Sequence, residues 1–208
     1  MAAKVTVRGH SVVPGKPDEA EFILTLSVLD ARAEQALAEV ARQTEALGQI
    51  LDELEIPSGS RVSSGVTVEE EEEWEDEELI HRGHRATSRV KVRLRDLGSI
   101  GLLIGQATSR AGAQVRGPRW RLDLGNPARL DACRLAAEEA RRKAEAYAQA
   151  LGLRLGAVIE VTEPGMSTRR EPAFEGMAIA AAALPNLHVD AGELDVSAAV
   201  EVTFALDH

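Results

Sequence analysis

Cysteine is almost absent from this chain. Cys133 is the only one, which excludes an intrachain disulfide and any cluster of thiolate metal ligands. Aromatic residues are nearly as scarce, with three Phe, two Trp and one Tyr. The core must therefore be aliphatic, and stacking platforms for single-stranded nucleic acid are wanting. No uninterrupted apolar run is long enough to cross a bilayer as a helix. Met1-Ala2-Ala3-Lys4-Val5 leads straight into a strand pattern with no apolar h-region, so no secretory signal is read and the expected location is cytoplasmic. An excess of positive charge is lacking too. The net charge of -10 disfavours a general nucleic-acid binder and keeps polyanions at a distance. There is no P-loop, no dinucleotide glycine fingerprint, no G-x-S-x-G and no His-Glu-x-x-His. The expectation is a protein that is not an enzyme, with no catalytic residues, no cofactor and no assigned metal ligand.

What is present is Val, Leu and Ala in patterns that change period along the chain. Val5, Val7 and Gly9 open a short strand, followed by a loop at Pro14-Gly15-Lys16-Pro17-Asp18. Phe22, Leu24, Leu26 and Val28 alternate as a half-buried strand does. Ala33, Leu37, Val40, Leu47, Ile50 and Leu51 then recur at helical spacing, with Asp30 placed to cap the helix and Pro57 beyond its end. Val62, Val66 and Val68 begin a strand that enters a charged hairpin, and Val90, Val92 and Leu94 alternate on its return. Asp96 caps a second helix at about 97–111, ending near Gly112.

The order then recurs. Trp120, Leu122 and Leu124 alternate; Asn126-Pro127 starts a helix that Gly152 stops. Its apolar stripe reads Leu130, Cys133, Ala137, Ala140, Ala144, Tyr147, Ala148 and Leu151, which makes Cys133 a small buried hydrophobe. Strands follow with Leu155, Ala157, Ile159 and Val161, and with Val196, Ala198, Val200, Val202, Phe204 and Leu206. The expected fold is α+β: a two-layer arrangement of duplicated β-α-β-β units, with long Ala-rich helices on one face of a largely antiparallel sheet. The expected organisation is a single domain over 1–208, made of repeats at about 1–95 and 116–208 joined by the helix at about 97–111.

Several stretches together carry a family resemblance: Val5-Thr6-Val7-Arg8-Gly9, Pro17-Asp18-Glu19-Ala20, Gly83-His84-Arg85-Ala86, and Val90, Val92, Asp96 and Leu97. The longest runs from Ala136 to the closing Leu151-Gly152 and includes Lys143-Ala144; Val200, Val202 and Phe204 complete the set. In this order the chain resembles the SIMPL domain proteins, a domain of unknown function. His84 stands where that family usually has Tyr. The resemblance implies protein interaction, oligomeric assembly and, for some members, a link to stress. It implies no catalytic residues. Bacterial relatives include periplasmic immunogenic proteins, and the eukaryotic namesake associates with a kinase.

Three features invite function. Glu69 to Glu78 is acidic at every position except Trp74, and clustered carboxylates suit hard cations. With His81 and His84 nearby, the alternative to a scaffold is a metal- or ligand-binding protein using this hairpin. His-x-x-His without further ligands is a weak zinc signal, and the competing reading is a solvated tip whose acids are offset by Arg82, Arg85 and Arg89. The row Arg89, Lys91, Arg93 and Arg95, with Arg119 and Arg121, is either a phosphate track or an interface, tempered by Glu19, Glu21, Glu160 or Glu201. The connection from Glu163 to Glu193, with its apolar block Met177 to Leu184, is long for a loop and reads as an arm or a surface segment. The leading expectation is a homo-oligomeric scaffold or interaction module. Its protein partner is unspecified, nucleic acid is disfavoured and no membrane span is read.

Overall fold

Alternation in the sequence becomes pairing in the structure, a computed structural model that describes residues 3–75, 78–163 and 191–208. The strands are β1 (Lys4–Gly15), β2 (Glu19–Asp30), β3 (Arg61–Glu75), β4 (Glu78–Leu94), β5 (Gln114–Arg121), β6 (Arg154–Thr162) and β7 (Leu194–Asp207). The helices are α1 (Ala33–Glu53), α2 (Ile100–Ala111) and α3 (Pro127–Ala150). Every strand pairing among the described residues is antiparallel. The fold is α+β, and it divides into two compact units.

The unit spanning Asp18–Arg121 holds a four-stranded sheet in the order β3-β4-β2-β5. Its core follows from the period-two pattern of β2. Ala20, Phe22, Leu24 and Leu26 are fully buried, and the register sets Ala20 opposite Leu94, Phe22 opposite Val92 and Leu24 opposite Val90. Trp120 and Val115 of β5 lie beside Ala20 and Leu24. Onto this face α1 brings Leu47, Ile50 and Leu51, and α2 brings Ile100, Leu103 and Ala107. Each fully buried Leu, Ile or Phe contributes roughly 1.5–3 kcal/mol of transfer free energy. The helix ends follow local chemistry. The Gly98 N–H donates to Asp96 Oδ1 at 3.1 Å, fixing the 3-10 turn Leu97–Ser99 that leads into α2, and Gly112 closes α2 at φ 67°. Asp30 is not the N-cap of α1. It accepts the Arg32 N–H at 3.0 Å, and Arg32 occupies the cap position without a side-chain hydrogen bond.

The second unit holds β1, α3, β6 and β7 in a three-stranded sheet ordered β1-β7-β6. β1 is longer than expected and runs through Pro14, pairing with β7 from Lys4↔Ala205 to Gly15↔Leu194. A proline is tolerated there because β1 is an edge strand. Asn126 accepts the Ala128 N–H at 3.0 Å and starts α3. Gly152, at φ 71°, ends it with Leu153 N–H bonding back to the Ala148 carbonyl. The buried face of α3 consists of Ala128, Ala132, Ala136, Ala140, Ala144 and Ala148.

This corrects the expected stripe. Leu130, Tyr147 and Leu151 are exposed, and so is Cys133, which is not a buried hydrophobe. Size, not hydrophobicity, selects the inner face of α3: at Gly9 the helix backbone passes so near β1 that a β-carbon on the strand would meet it, and only alanines line the buried side of the helix.

The two units share one topology. Each is β-α-β-β with the first strand beside the last: β3-β4-β2 in one and β6-β7-β1 in the other. The first strand of the second unit is β1, not the segment at 119–124. That segment ends as β5, paired with β2. The reason is local: β2 has a free edge opposite β4, and Val115 and Trp120 extend its apolar face. The connection from Glu163 to Glu193, including Met177 to Leu184, falls apart from its two ends outside the described residues.

Candidate functional site

The charged hairpin outgrows its sheet. β3 and β4 pair from Arg61↔Val92 to Glu75↔Glu78, whereas β2 follows β4 only as far as Asp30↔His84. Beyond that point the hairpin continues as a two-stranded ribbon. Gly83 marks its root. It has φ 126°, and a β-carbon there would lie 2.5 Å from the Asp30 carbonyl oxygen, so only glycine fits where β2 turns away. The register shifts nearby, between Glu71 and Glu72.

Three acids of the ribbon, Glu71, Glu73 and Glu75, are held by arginines on the return strand. Arg85 grips Glu71 with two N–H donors at 2.5 and 2.6 Å. Arg82 spans Glu73 at 2.9 Å and Glu75 at 2.8 Å. The Arg85 hydrogen bonds hold the Glu71 carboxyl below the usual carboxylate range. Arg89, expected to join them, makes no ion pair among the described residues. Trp74 sits opposite Leu79, and both are exposed, Trp74 at 72%.

His81 and His84 lie in strand β4, not in the turn. His81 Nδ1 is 2.8 Å from Glu70 Oε1, and the two imidazoles meet edge to face with centroids 5.4 Å apart. Among the described residues no three His, Cys, Asp or Glu side chains converge as a metal-holding group. The hairpin brings the sequence-predicted residues together as pairs, without gathering them round one centre.

The outer face of the four-stranded sheet collects the basic row. Directly paired residues share a face, so the register sets Ile23 between Lys91 and Arg116, and Glu21 between Arg93 and Arg119. Glu21 is only 6% exposed. Its Oε2 accepts from Arg93 Nε at 3.4 Å and from Arg121 Nη1 at 3.3 Å. Glu19 accepts from Arg95 at 3.0 Å. Arg89, Lys91, Arg116 and Arg119 are exposed, with no carboxylate in ion-pair range among the described residues. The face therefore carries a surplus of positive charge on an acidic protein.

Arg116 was missed by sequence reasoning. Straight alternation puts it opposite Arg119, but two steps on β2 (Glu21 to Ile23) match three on β5 (Arg119 to Arg116). The bulge, with Gly117 at φ 131°, returns Arg116 to the basic side. The Gly117-Pro118 pair was the only signal of it in the sequence.

Comparison with known proteins finds relatives of this chain. The 26 kDa periplasmic immunogenic proteins of Brucella melitensis biotype 1 and Brucella abortus (strain S19) are each 26% identical to this chain over 217 residues, covering 98% of this chain and 85% of the relative. Both names place the relative in the periplasm, which overturns the cytoplasmic location expected from residues 1–5. The model of the SIMPL family, described as a protein of unknown function (DUF541), matches residues 5–204. With that match running through both units and nearly end to end, this chain belongs to the SIMPL family.

Proposed function

We propose that this SIMPL protein is a non-enzymatic, exported interaction protein that works as an assembly of copies of itself. Its two β-α-β-β units are read as repeats of one module held in a single SIMPL domain. The observation that carries the reading is the outer face of the four-stranded sheet. Arg89, Lys91, Arg116 and Arg119 stand there exposed and without acidic partners among the described residues. A solvated face in a protein of net charge -10 has no need of such a surplus, whereas an interface does. The names of the Brucella relatives support export.

Light scattering coupled to size exclusion tests the assembly. The expected result is a mass that is a multiple of 22.3 kDa at micromolar concentration; a clean monomer overturns the proposal. Fractionation of the native host is expected to recover the protein outside the cytoplasm.

A further inference from the structure

We propose that the basic outer face receives the β3–β4 ribbon of a second copy of this chain. The inference rests on the assembly reading above and specifies which surfaces meet. The face presents Lys91 and Arg116 on either side of half-buried Ile23, with Arg89 and Arg119 next to them. Four cations without an ion pair among the described residues repel one another on one sheet face, and an acidic partner relieves that repulsion.

The ribbon has the complementary chemistry. Glu72 lies on the Trp74 face of the ribbon and Glu69 and Glu78 on the other; all three are exposed and have no ion-pair partner among the described residues. Near its end the Trp74–Leu79 pair adds an apolar contact. Trp74 over Ile23, flanked by Lys91 and Arg116, combines apolar burial with cation–π attraction, the usual make-up of an interface anchor. The ribbon continues the pairing of β3 with β4 in line with its own sheet, so another copy's face is the one it meets. A soluble polyanion fits less well. Among the described residues the face offers no aromatic platform, and the acidic ribbon on the same unit opposes its approach. Ribbon to face is a head-to-tail contact, which propagates into a ring or a filament.

The test uses the full chain and paired charge reversals. Lys91→Glu with Arg116→Glu reverses the face; Glu69→Lys with Glu72→Lys reverses the ribbon. Sedimentation velocity is run at low and high salt, with circular dichroism to confirm folding and the milder Lys91→Gln/Arg116→Gln variant as a second check. Each reversal is expected to weaken assembly by roughly tenfold or more, as loss of close interfacial charge pairs does. Salt is expected to weaken the wild-type assembly as screening shortens. Mixing the two reversed variants is expected to restore assembly, since each then offers the other a complementary surface.

Wild-type-like assembly of both reversed variants overturns this contact while leaving self-assembly standing. A monomeric wild type overturns both. If face reversal abolishes retention on a heparin column yet leaves assembly intact, the face serves a soluble polyanion and the contact is likewise overturned.

Discussion

Gly9 lies directly beneath Ala136: a β-carbon built on Gly9 would sit 1.9 Å from the Ala136 carbonyl oxygen and 2.7 Å from the Ala140 nitrogen. The obstacle is helix backbone, not a side chain that can swing aside. Gly9→Ala is therefore expected to destabilise the protein by about 3 kcal/mol or more, at the upper end of overpacking costs. Urea unfolding of the variant against the wild type measures it. A change below about 1 kcal/mol would show that α3 is free to lift off β1.

Acid should loosen the ribbon before anything basic does. Arg85 lowers the pKa of Glu71, and the His10 N–H together with Lys143 lowers that of Glu139. A carboxyl whose folded pKa is depressed contributes stability that is fully present above its unfolded pKa, about 4.3 for Glu. That contribution is lost as pH falls through the folded value. Thermal unfolding followed from pH 7 downward is expected to show a plateau and then a decline below about pH 4.5. Glu71→Gln should remove part of the decline. A variant that tracks the wild type across that window would mean the Arg85–Glu71 pair contributes nothing to folding.

Cys133 is exposed on α3, so a thiol reagent should reach it in the folded protein. Modification with an aromatic disulfide reagent is expected at a rate close to that in denaturant, one thiol per chain. Protection that disappears only on unfolding would contradict the placement of Cys133 on the outer side of α3.

The legible parts of this fold were those where one face simply alternates or repeats. Phe22, Leu24 and Leu26 on β2, and Val90, Val92 and Leu94 on β4, read correctly because burial on one side of a sheet imposes period two and nothing else competes. On α3 the reading failed for a physical reason. Leu130, Tyr147 and Leu151 are more hydrophobic than alanine, yet the inner face must be thin enough to clear Gly9, so the larger residues turn outward.

The basic surface was half legible for a different reason. Arg89, Lys91 and Arg93 alternate on one strand and announced themselves. Arg116 joins them only through the bulge in β5, an offset that no periodicity encodes. In the hairpin, opposite charge predicted Arg82 and Arg85 as partners of the acids, but it placed Arg89 there as well, where the register puts it beside Thr25.

The pairing of β1 with β7 joins the two ends of the described chain: Thr6 and Thr203 share a hydroxyl hydrogen bond of 2.9 Å across 197 positions of sequence. Among the described residues the unit of β2 to β5 is the single stretch Asp18–Arg121, which lies between them in the chain. This sets an order of events during folding. The contiguous unit has all its partners early, whereas β1 waits for the last strand and bears the greater loop-closure cost. The nested unit is thus expected to form first and to shorten the effective loop that β1 and β7 must close. Strand β1, with its unpaired edge groups, is the segment most exposed to wrong partners in the interval.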